Sequence, residues 1–413
     1  MVTGLPRLIT VKPAVSAINP SAGRWSEFAP TQSSGKSIAP NRDEVSANPR
    51  ILPASESPHA SPTEPVCNGD VAIRVSVIVP VHNNPDQLSQ CLSALRTATA
   101  VDTELIVVDD ASTEDVSSTA AHFGARFLRL TRNAGPAAAR NHGARCARGQ
   151  ILFFVDADVV VPNDAIERIQ TLFDRHGEIA AVFGSYDACP AAPGLVSRYR
   201  NLLHHFVHQT GKAEAATFWA GCGAVMRPAF DRVGGFDERR FPRPSIEDIE
   251  LGYRLRRAGY RIFLDKSLQC RHLKRWTFWS VIRADIIYRA IPWSRLILEA
   301  GEAPDDLNIS GSQRASVALT GLAGLFLLMS PVRLELLMLA FGCAAATVIL
   351  NRDLYAFFRR AGGISFAAAC IPLHLLYFMY CGLSYHYVWV QSMLQKAGAR
   401  RGGKAGPSRG TSC

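Results

Sequence analysis

The sequence predicts an α/β domain followed by a helical region that can enter a membrane. Between residues 71 and 300, short apolar runs that end in acidic residues alternate with helical patterns. Between residues 301 and 395, three longer apolar runs carry few charges. A chain of 413 residues is also too long for one ordinary domain. Alternating strands and helices imply right-handed crossovers and a parallel sheet.

The composition limits the classes of function. The formal net charge is +10 and the isoelectric point is about 9.2, so a polyanionic partner is expected. Nucleotide phosphates and anionic lipid headgroups both qualify. Nucleic acid is not expected, because the basic residues crowd the membrane-proximal stretch and the tail and form no recognised nucleic-acid motif. Ten scattered cysteines without a C-x-x-C pair favour reduced thiols over a disulfide framework.

The two ends of the chain differ from its middle. Residues 1–70 are rich in Pro, Ser, Ala and Asn and lack a sustained periodicity, so we expect a disordered extension. The first residues lack the continuous apolar core of a secretory signal peptide. Residues 396–413 are rich in Gly and basic residues, and we expect a disordered tail that is attracted to anionic lipid.

Each element of the α/β domain has a local signal. The first predicted strand stops at Pro80, and in the helix that follows Leu88, Leu92 and Leu95 share one face. The predicted strands cover residues 74–80, 103–110, 125–130 and 151–156, and the predicted helices cover residues 85–97, 137–148 and 245–258.

Two carboxylates mark the carboxyl end of the strand over residues 151–156. Asp156 and Asp158 lie one residue apart, so their side chains point the same way along an extended backbone. Ligands of open α/β sheets bind outside the carboxyl ends of the strands. Such a pair suits a hard divalent cation that bridges to phosphate, although a strand end with an Asx turn has the same residues.

Three further segments place charged side chains near this edge. Asp109 and Asp110 end the second strand, where acids suit either a helix N-terminus or a hydrogen bond to a base or sugar hydroxyl. Arg140 lies one turn into an Ala-rich helix, where it can pair with phosphate, stack on a base or point into solvent. Glu247 and Asp248 lie in the first turn of a helix, where acids stabilise the helix in any case.

Taken in order, these segments resemble the family 2 glycosyltransferases over roughly residues 73–272. The resemblance implies a GT-A nucleotide-sugar-binding fold with a Rossmann-like mixed sheet, which is followed here by membrane helices. The segments that carry it are residues 75–80, 107–113, 133–141, 156–158, 234–238 and 247–251.

The resemblance also implies roles by position. Asp248 is the expected general base, and Glu247 stands beside it in the catalytic pair. Asp158 is expected to ligate Mg²⁺ or Mn²⁺, and His272 is a second candidate metal ligand. Asp110 is expected to contact the nucleotide base and Asp156 the ribose. The full set of expected nucleotide-sugar-binding residues at these strand ends is Pro80, Asp109, Asp110, Arg140 and Asp156.

A second resemblance is partial. Residues 272–276, His-Leu-Lys-Arg-Trp, are similar to the Gln-x-x-Arg-Trp motif of processive polysaccharide synthases, with His in place of Gln. The motif implies that Arg275 and Trp276 help to hold the nucleotide and the acceptor. An interfacial anchor is the alternative, because aromatic and basic residues alternate directly after this motif.

The implied activity is a metal-dependent, inverting transfer of a sugar from a nucleotide-diphosphate donor to a membrane-associated lipid or glycan acceptor. A processive polysaccharide synthase and a non-catalytic membrane scaffold are the alternatives. The presence of both Asp158 and Asp248 disfavours the scaffold. A dinucleotide-dependent oxidoreductase is disfavoured because no G-x-G-x-x-G follows the first strand.

Apolar runs over residues 315–331, 334–350 and 364–390 predict the membrane region. The basic stretch over residues 351–360 predicts a cytoplasmic loop, on the side where the catalytic domain would meet nucleotide sugars. A third full span would place the basic tail outside. We therefore expect that run either to be re-entrant or interfacial, or to break into two segments near Pro372 or Gly382. The expected location is the plasma or inner membrane, with several spans and a cytoplasmic catalytic domain.

Overall fold

The computed structural model describes residues 72–301 and 307–402. The predicted disordered extension and residues 403–413 of the predicted tail lie outside this range. Nine strands occur in the part of the chain that is described. In chain order they are β1 (Val75–Val81), β2 (Thr103–Asp109), β3 (Arg126–Arg129), β4 (Ile151–Val155), β5 (Val159–Val160), β6 (Ile179–Tyr186), β7 (Glu214–Ala215), β8 (Cys222–Met226) and β9 (Arg261–His272).

Helices separate the strands and make up the region after β9. A π-helical segment, Ala284–Ala290, connects α8 to α9. The last helix continues to Gly402 and so includes the first residues of the predicted basic tail. The helices are α1 (Pro85–Ala98), α2 (Ser117–His122), α3 (Pro136–Cys146), α4 (Ala165–Arg175), α5 (Leu195–Thr210), α6 (Arg227–Arg232), α7 (Glu247–Arg257), α8 (Phe278–Arg283), α9 (Ile291–Ala300), α10 (Gly311–Met329), α11 (Glu335–Leu350) and α12 (Arg352–Gly402).

A mixed sheet organises the described strands in the order β3-β2-β1-β4-β8-β6-β9-β5, with β7 paired to β9. The first four strands are parallel, and Val77 lies opposite both Leu105 and Phe153. β8 runs antiparallel between β4 and β6, and β6 pairs with β9 in parallel. The mixed sheet with a following helical region confirms the predicted fold class. The parallel pairing implied by alternating strands and helices is found among β1 to β4, whereas β8 enters between β4 and β6 in the opposite direction.

The core lies on both faces of this sheet, since successive residues of a strand point to opposite sides. Val77 and Val79 of β1 pack in the cluster that contains Leu88 and Leu92 of α1. Ile78, between them in the sequence, packs in the second cluster with small residues of α3. The run of buried residues in β1 therefore follows from its central place in the sheet.

Two helices of the described C-terminal region are long and apolar enough to cross a membrane, Gly311–Met329 and Arg352–Ala397, and Glu335–Leu350 is a shorter apolar helix. Large apolar side chains on these helices are exposed, among them Leu328, Met338 and Phe341. An apolar surface of this kind is typical of contact with lipid or with another protein.

The third apolar run differs from the prediction. The basic stretch over residues 351–360 is helical rather than a loop, and α12 is interrupted at Gly363, which has φ 84° and ψ 175°. A positive φ of this size favours glycine. The helix passes Pro372 and Gly382 without a break. The expectation of a break near either residue was therefore wrong.

Buried contacts join α12 to the α/β domain. Tyr199 and Leu202 of α5 pack in one cluster with Phe358 and Phe366, which flank the interruption of α12. Further along α12, the Tyr380 hydroxyl donates a hydrogen bond of 2.6 Å to a carboxylate of the π-helical segment. These contacts hold α12 against the side of the domain that bears α5.

Candidate active site

A cavity of about 470 Å³ opens at the carboxyl ends of β1, β2 and β4. The strand ends contribute Pro80, Asp110, Asp156 and Asp158 to its wall, and the start of α7 contributes Asp248. Acids that are far apart in the sequence therefore converge on one cavity. This is the edge at which ligands of open α/β sheets bind.

Asp110 fixes the loop that leads into α3. Its carboxylate accepts hydrogen bonds from the backbone N–H groups of Ala134 at 2.7 Å and Gly135 at 2.8 Å. Gly135 has φ 88°, and a β-carbon at this position would lie 2.6 Å from the Pro242 carbonyl oxygen, so glycine is required. Both Asp110 oxygens are thus used within the protein. The predicted contact of Asp110 with a nucleotide base stays a prediction.

Two predicted binding residues lie outside the cavity wall. Asp109 is the last residue of β2 and points away from Asp110 because side chains alternate along a strand. Its buried carboxylate accepts a hydrogen bond from the Ser112 N–H at 2.8 Å and lies 3.3 Å from Arg129. Arg275 is exposed and lies outside the wall, whereas the neighbouring Trp276 is part of it. The contacts of Asp109 are made within the protein, and the predicted nucleotide binding of Asp109 and Arg275 stays a prediction.

Arg140 is buried and joins two acids from different elements. Its Nη2 lies 2.6 Å from Asp156 Oδ1, and its Nη1 lies 2.9 Å from Glu247 Oε1. Burial alone would lower the pKa of Arg140, but Asp156 and Glu247 outweigh it and raise this pKa. Glu247 also accepts a hydrogen bond from the Ser245 N–H at 2.9 Å. These contacts hold the end of β4, α3 and α7 together, so a phosphate, a ribose or a reacting group would have to compete with them.

Asp158 and His272 become neighbours through the pairing of β5 with β9, in which Val159 lies opposite His272. His272 Nε2 is 3.4 Å from Asp158 Oδ2, and its ring stacks on Tyr186 with the centroids 4.6 Å apart. Burial would raise the pKa of Asp158, but His272 and Lys274 outweigh it and hold this pKa below its usual range. Asp158 is therefore ionised at neutral pH.

The donor set at Asp158 and His272 fits a divalent cation that is shared with a ligand. Mg²⁺ and Mn²⁺ commonly bind one or two carboxylates together with substrate phosphates, and Mn²⁺ also accepts imidazole. Within residues 72–301 and 307–402, no group of three or more His, Cys, Asp or Glu side chains could hold a metal ion by itself. The two residues would therefore complete a coordination shell only with a phosphate-bearing ligand and water.

Asp248 lies in the first turn of α7, next to the loop that precedes β8. Its Oδ2 accepts a hydrogen bond from the Ala220 N–H at 3.2 Å. Burial and the neighbouring Glu247 raise the pKa of Asp248 to about 7. A carboxyl group that titrates near neutral pH suits general base catalysis, because a substantial fraction is ionised at neutral pH and that form is basic enough to accept a proton.

α5 contributes residues to the wall that sequence reasoning missed. Arg200, His204 and His208 are spaced four residues apart, so they lie on one side of the helix, and all three line the cavity. The rings of His204 and His208 pack against Trp219, at centroid distances of 5.5 and 5.8 Å. Burial lowers the pKa of His208 to about 3, so its imidazole is neutral. The four-residue spacing was the available signal, but nothing local connected α5 with the acids.

The part of the chain that supplies several of the cavity residues matches a known family. The model of the family described as glycosyl transferase family 2 matches residues 76–234. Residues 76–234 of the chain belong to this family. The matched region contains Asp110, Arg140, Asp156 and Asp158 of the cavity wall, whereas Asp248 lies beyond its end.

Two relatives illustrate the range of this glycosyltransferase family. A protein of Mycobacterium tuberculosis described as pre-mycofactocin glycosyltransferase is 32% identical over 233 residues, which are 54% of this chain and 46% of that protein. A poly(ribitol-phosphate) beta-glucosyltransferase of Bacillus spizizenii is 31% identical over 104 residues, which are 23% of this chain and 16% of that protein. The chain thus spans less than half the length of either relative.

Solved structures show more distant similarity to this chain. The mannosyltransferase PcManGT from Pyrobaculum calidifontis, in complex with GDP-Man and Mn²⁺, has a TM-score of 0.46 and 18% identity, covering 76% of this chain and 87% of that one. Residues 1–349 of TarS from S. aureus have a TM-score of 0.42 and 16% identity, covering 76% and 92%. At this level of similarity, the ligands and residue roles of those proteins cannot be assigned to this chain.

Proposed function

We propose that the chain is a membrane-bound, inverting glycosyltransferase that moves a sugar from a nucleotide-diphosphate donor to a membrane-associated acceptor, either a lipid-linked carrier or a glycan. The observation that carries the proposal is the convergence of Asp158, His272 and Asp248 on one cavity. Membership of family 2 and the names of the relatives support an enzyme rather than a scaffold.

The proposed donor lies with its nucleotide along the ends of β1 and β2, beside Pro80 and Asp110, and with its diphosphate at Asp158 and His272. The ionised Asp158 would repel a bare diphosphate. Mg²⁺ or Mn²⁺ held there would neutralise the negative charge that develops on the departing diphosphate. Arg140 keeps Asp156 and Glu247 in place and so shapes the site without contacting the reacting atoms.

The transfer forms one bond and breaks another at the anomeric carbon. The oxygen of an acceptor hydroxyl attacks this carbon while its bond to the diphosphate oxygen breaks, and the bonding electron pair leaves with the nucleoside diphosphate. Asp248 accepts the proton of the hydroxyl. Attack from the side opposite the leaving group inverts the anomeric configuration.

The membrane part of the proposal rests on α10 and α12, with α11 between them. The exposed apolar side chains of these helices suit lipid contact. Arg359 and Arg360, which precede the interruption of α12, are exposed and suit the cytoplasmic surface. This orientation would place the cavity on the side of the membrane where nucleotide sugars are available.

Nucleotide release from the purified full chain tests the activity. We expect one member of a panel of UDP-, GDP- and dTDP-sugars to release its nucleotide when Mn²⁺ and membrane extract are present. The Asp248→Asn variant should keep donor binding and lose transfer by at least about 100-fold, the low end of general-base effects. Asp231→Asn, which changes an exposed acid on α6, is the matched control. Near-normal transfer by Asp248→Asn would remove this residue from the role of base.

A further inference from the structure

One part of the cavity wall is basic rather than acidic. Arg200 of α5, Lys274 after β9 and Arg289 of the π-helical segment all line the cavity. Lys274 Nζ lies 4.6 Å from the centre of the Trp276 ring, and the Arg289 guanidinium lies 5.9 Å from it. Lys274 and Arg289 thus lie against the same aromatic ring, and Arg200 lines the same cavity.

A single buried carboxylate faces the two arginines. Asp285 is only 2% exposed, and its Oδ1 lies 2.9 Å from Arg200 Nη2 and 3.1 Å from Arg289 Nη1. Its Oδ2 accepts the hydrogen bond of the Tyr380 hydroxyl at 2.6 Å. One negative charge cannot neutralise two guanidinium groups, and Lys274 adds a third positive charge. This part of the wall therefore carries surplus positive charge into the cavity.

Hydrogen bonds tie this basic wall to α7 and α12, while Lys274 also lies near enough to Asp158 to lower the pKa of that carboxyl. The Ser245 hydroxyl, at the entry to α7, donates a hydrogen bond of 2.8 Å to the Tyr288 carbonyl of the π-helical segment. Arg289 is thus the neighbour of Tyr288, whose carbonyl is hydrogen-bonded to the entry of α7, the helix that carries Asp248. On its other side, the network reaches α12 through Tyr380. The basic wall lies between the proposed general base and the proposed membrane helices.

We propose that Arg200, Lys274 and Arg289 form a subsite for a phosphate group on the acceptor. The inference rests on the proposed function and adds the chemical class of its acceptor: an apolar chain that ends in phosphate. Guanidinium groups bind phosphate oxygens through paired, charge-assisted hydrogen bonds. Asp285 and Tyr380 hold the arginines in place, so little side-chain entropy is lost on binding.

The test measures binding of dodecyl phosphate by the full chain in neutral detergent, with dodecanol and inorganic phosphate as the other probes. We expect dodecyl phosphate to bind at least about 10-fold more tightly than either, because only it combines the charge with the chain. Arg289→Gln should weaken dodecyl phosphate binding by about 10-fold, and Arg289→Lys by less. The matched control is Arg295→Gln on α9, which removes an equal charge from an exposed residue outside the cavity wall.

Binding of UDP and GDP to the same variants separates this inference from the proposed function. If Arg289→Gln weakens dodecyl phosphate binding and leaves nucleotide binding unchanged, the acceptor subsite stands. If it weakens nucleotide binding by the same factor, these cations serve the donor and the inference is overturned. Inorganic phosphate that binds as tightly as dodecyl phosphate also overturns it, since the site would then take free phosphate. Failure of every nucleotide to bind the parent chain refutes the proposed function alone.

If Arg289→Gln fails to fold, a second variant still tests the subsite. Lys274 is exposed and packs on Trp276, so Lys274→Gln leaves the buried Asp285 network intact. This second variant should also weaken dodecyl phosphate binding, by about 3-fold or more, because one of three charges is lost. Unchanged dodecyl phosphate binding in both folded variants contradicts the subsite.

Discussion

Glu247 and Asp248 are adjacent in the sequence, yet only one of them pairs with a cation. Glu247 Oε1 lies 2.9 Å from the buried Arg140 and is held there. Asp248 accepts hydrogen bonds from backbone N–H groups, while burial and the charge of Glu247 raise its pKa to about 7. A carboxyl group with a raised pKa, next to one that is held by a cation, suits acid–base chemistry at neutral pH.

The raised pKa of Asp248 predicts how transfer depends on pH. A general base acts in its ionised form, whose fraction increases through the pKa. We expect kcat/KM to rise between about pH 5.5 and about pH 8.5, with an apparent pKa near the value of about 7. The pH–rate profile at saturating Mn²⁺ is the measurement, and a profile that is flat across this window would contradict the assignment.

The raised pKa of Asp248 also predicts that the free energy of unfolding falls as the pH rises, whereas the rate of transfer increases. In the unfolded chain the pKa of an Asp is about 3.9, so the folded chain binds the Asp248 proton more tightly. The ionised side chain therefore becomes a growing cost to folding as the pH rises from about 4 to about 7. We expect Asp248→Asn to raise the free energy of unfolding at pH 8 by about 1–2 kcal/mol, less than the full shift because the side chain is only partly buried. A thermal midpoint in detergent below that of the parent would refute this.

Arg140 predicts a loss of stability. Replacing it with methionine keeps apolar volume but leaves Glu247 buried and Asp156 partly buried without their cation. We expect a cost of about 3 kcal/mol or more in the free energy of unfolding, measured by denaturant titration. Arg145→Ala changes an exposed arginine on the same helix and should stay within about 0.5 kcal/mol of the parent. Equal effects of the two substitutions would show that the buried ion pairs contribute little.

At the scale of elements, α3 positions Arg140 by packing closely on β1. A β-carbon at Gly143 would lie 2.5 Å from Ile78 Cγ2 and 3.0 Å from Val108 Cγ2. Both neighbours are buried, and β-branched side chains are stiff, so the helix rather than the strands would have to move.

Gly143→Ala should therefore reduce both stability and transfer. We expect a loss of about 1–3 kcal/mol from overpacking, together with slower transfer because the Arg140 ion pairs shift with the helix. Denaturant titration and nucleotide release measure the two effects. Gly177→Ala is the control, because a β-carbon there has no neighbour within 4 Å. Stability equal to that of the parent would show that α3 tolerates the methyl group.

The interruption at Gly363 divides α12 into parts of different character. Before it, Leu354 and Phe358 are buried while Arg359 and Arg360 are exposed, so this part has one apolar and one basic face. After it, the helix is long and mainly apolar. A short amphipathic part followed by an apolar part suits a chain that lies on a membrane surface and then enters the membrane.

At the scale of the whole molecule, the apolar surface and the net charge suggest two modes of membrane attachment. Insertion of α10 and α12 would be insensitive to salt, whereas attraction of a chain with net charge +10 to anionic lipid would be screened. We expect the chain to stay with membranes in both high salt and alkaline carbonate and to need detergent for release. Release by salt alone would show that attachment is electrostatic.

The match of residues 76–234 to family 2 was predictable because its signals are local. Apolar strands that end in acids, the Asp156-Ala-Asp158 pair and the acidic start of α7 can each be read within a few residues. The membrane region could be proposed for the same reason, since hydropathy depends on neighbouring residues only. The antiparallel entry of β8 and the place of the break in α12 could not, because strand order and helix packing depend on distant contacts.

The sequence by itself determined which chemistry-bearing residues follow which strands, and with them the family. Only the tertiary structure decided how those residues are used. It buried Arg140 between two acids, one of them 107 residues away, and it brought α5 and the π-helical segment to the cavity wall. It also turned Asp109 away from that wall. Such pairings arise from long-range packing and burial, and no local pattern of residues encodes them.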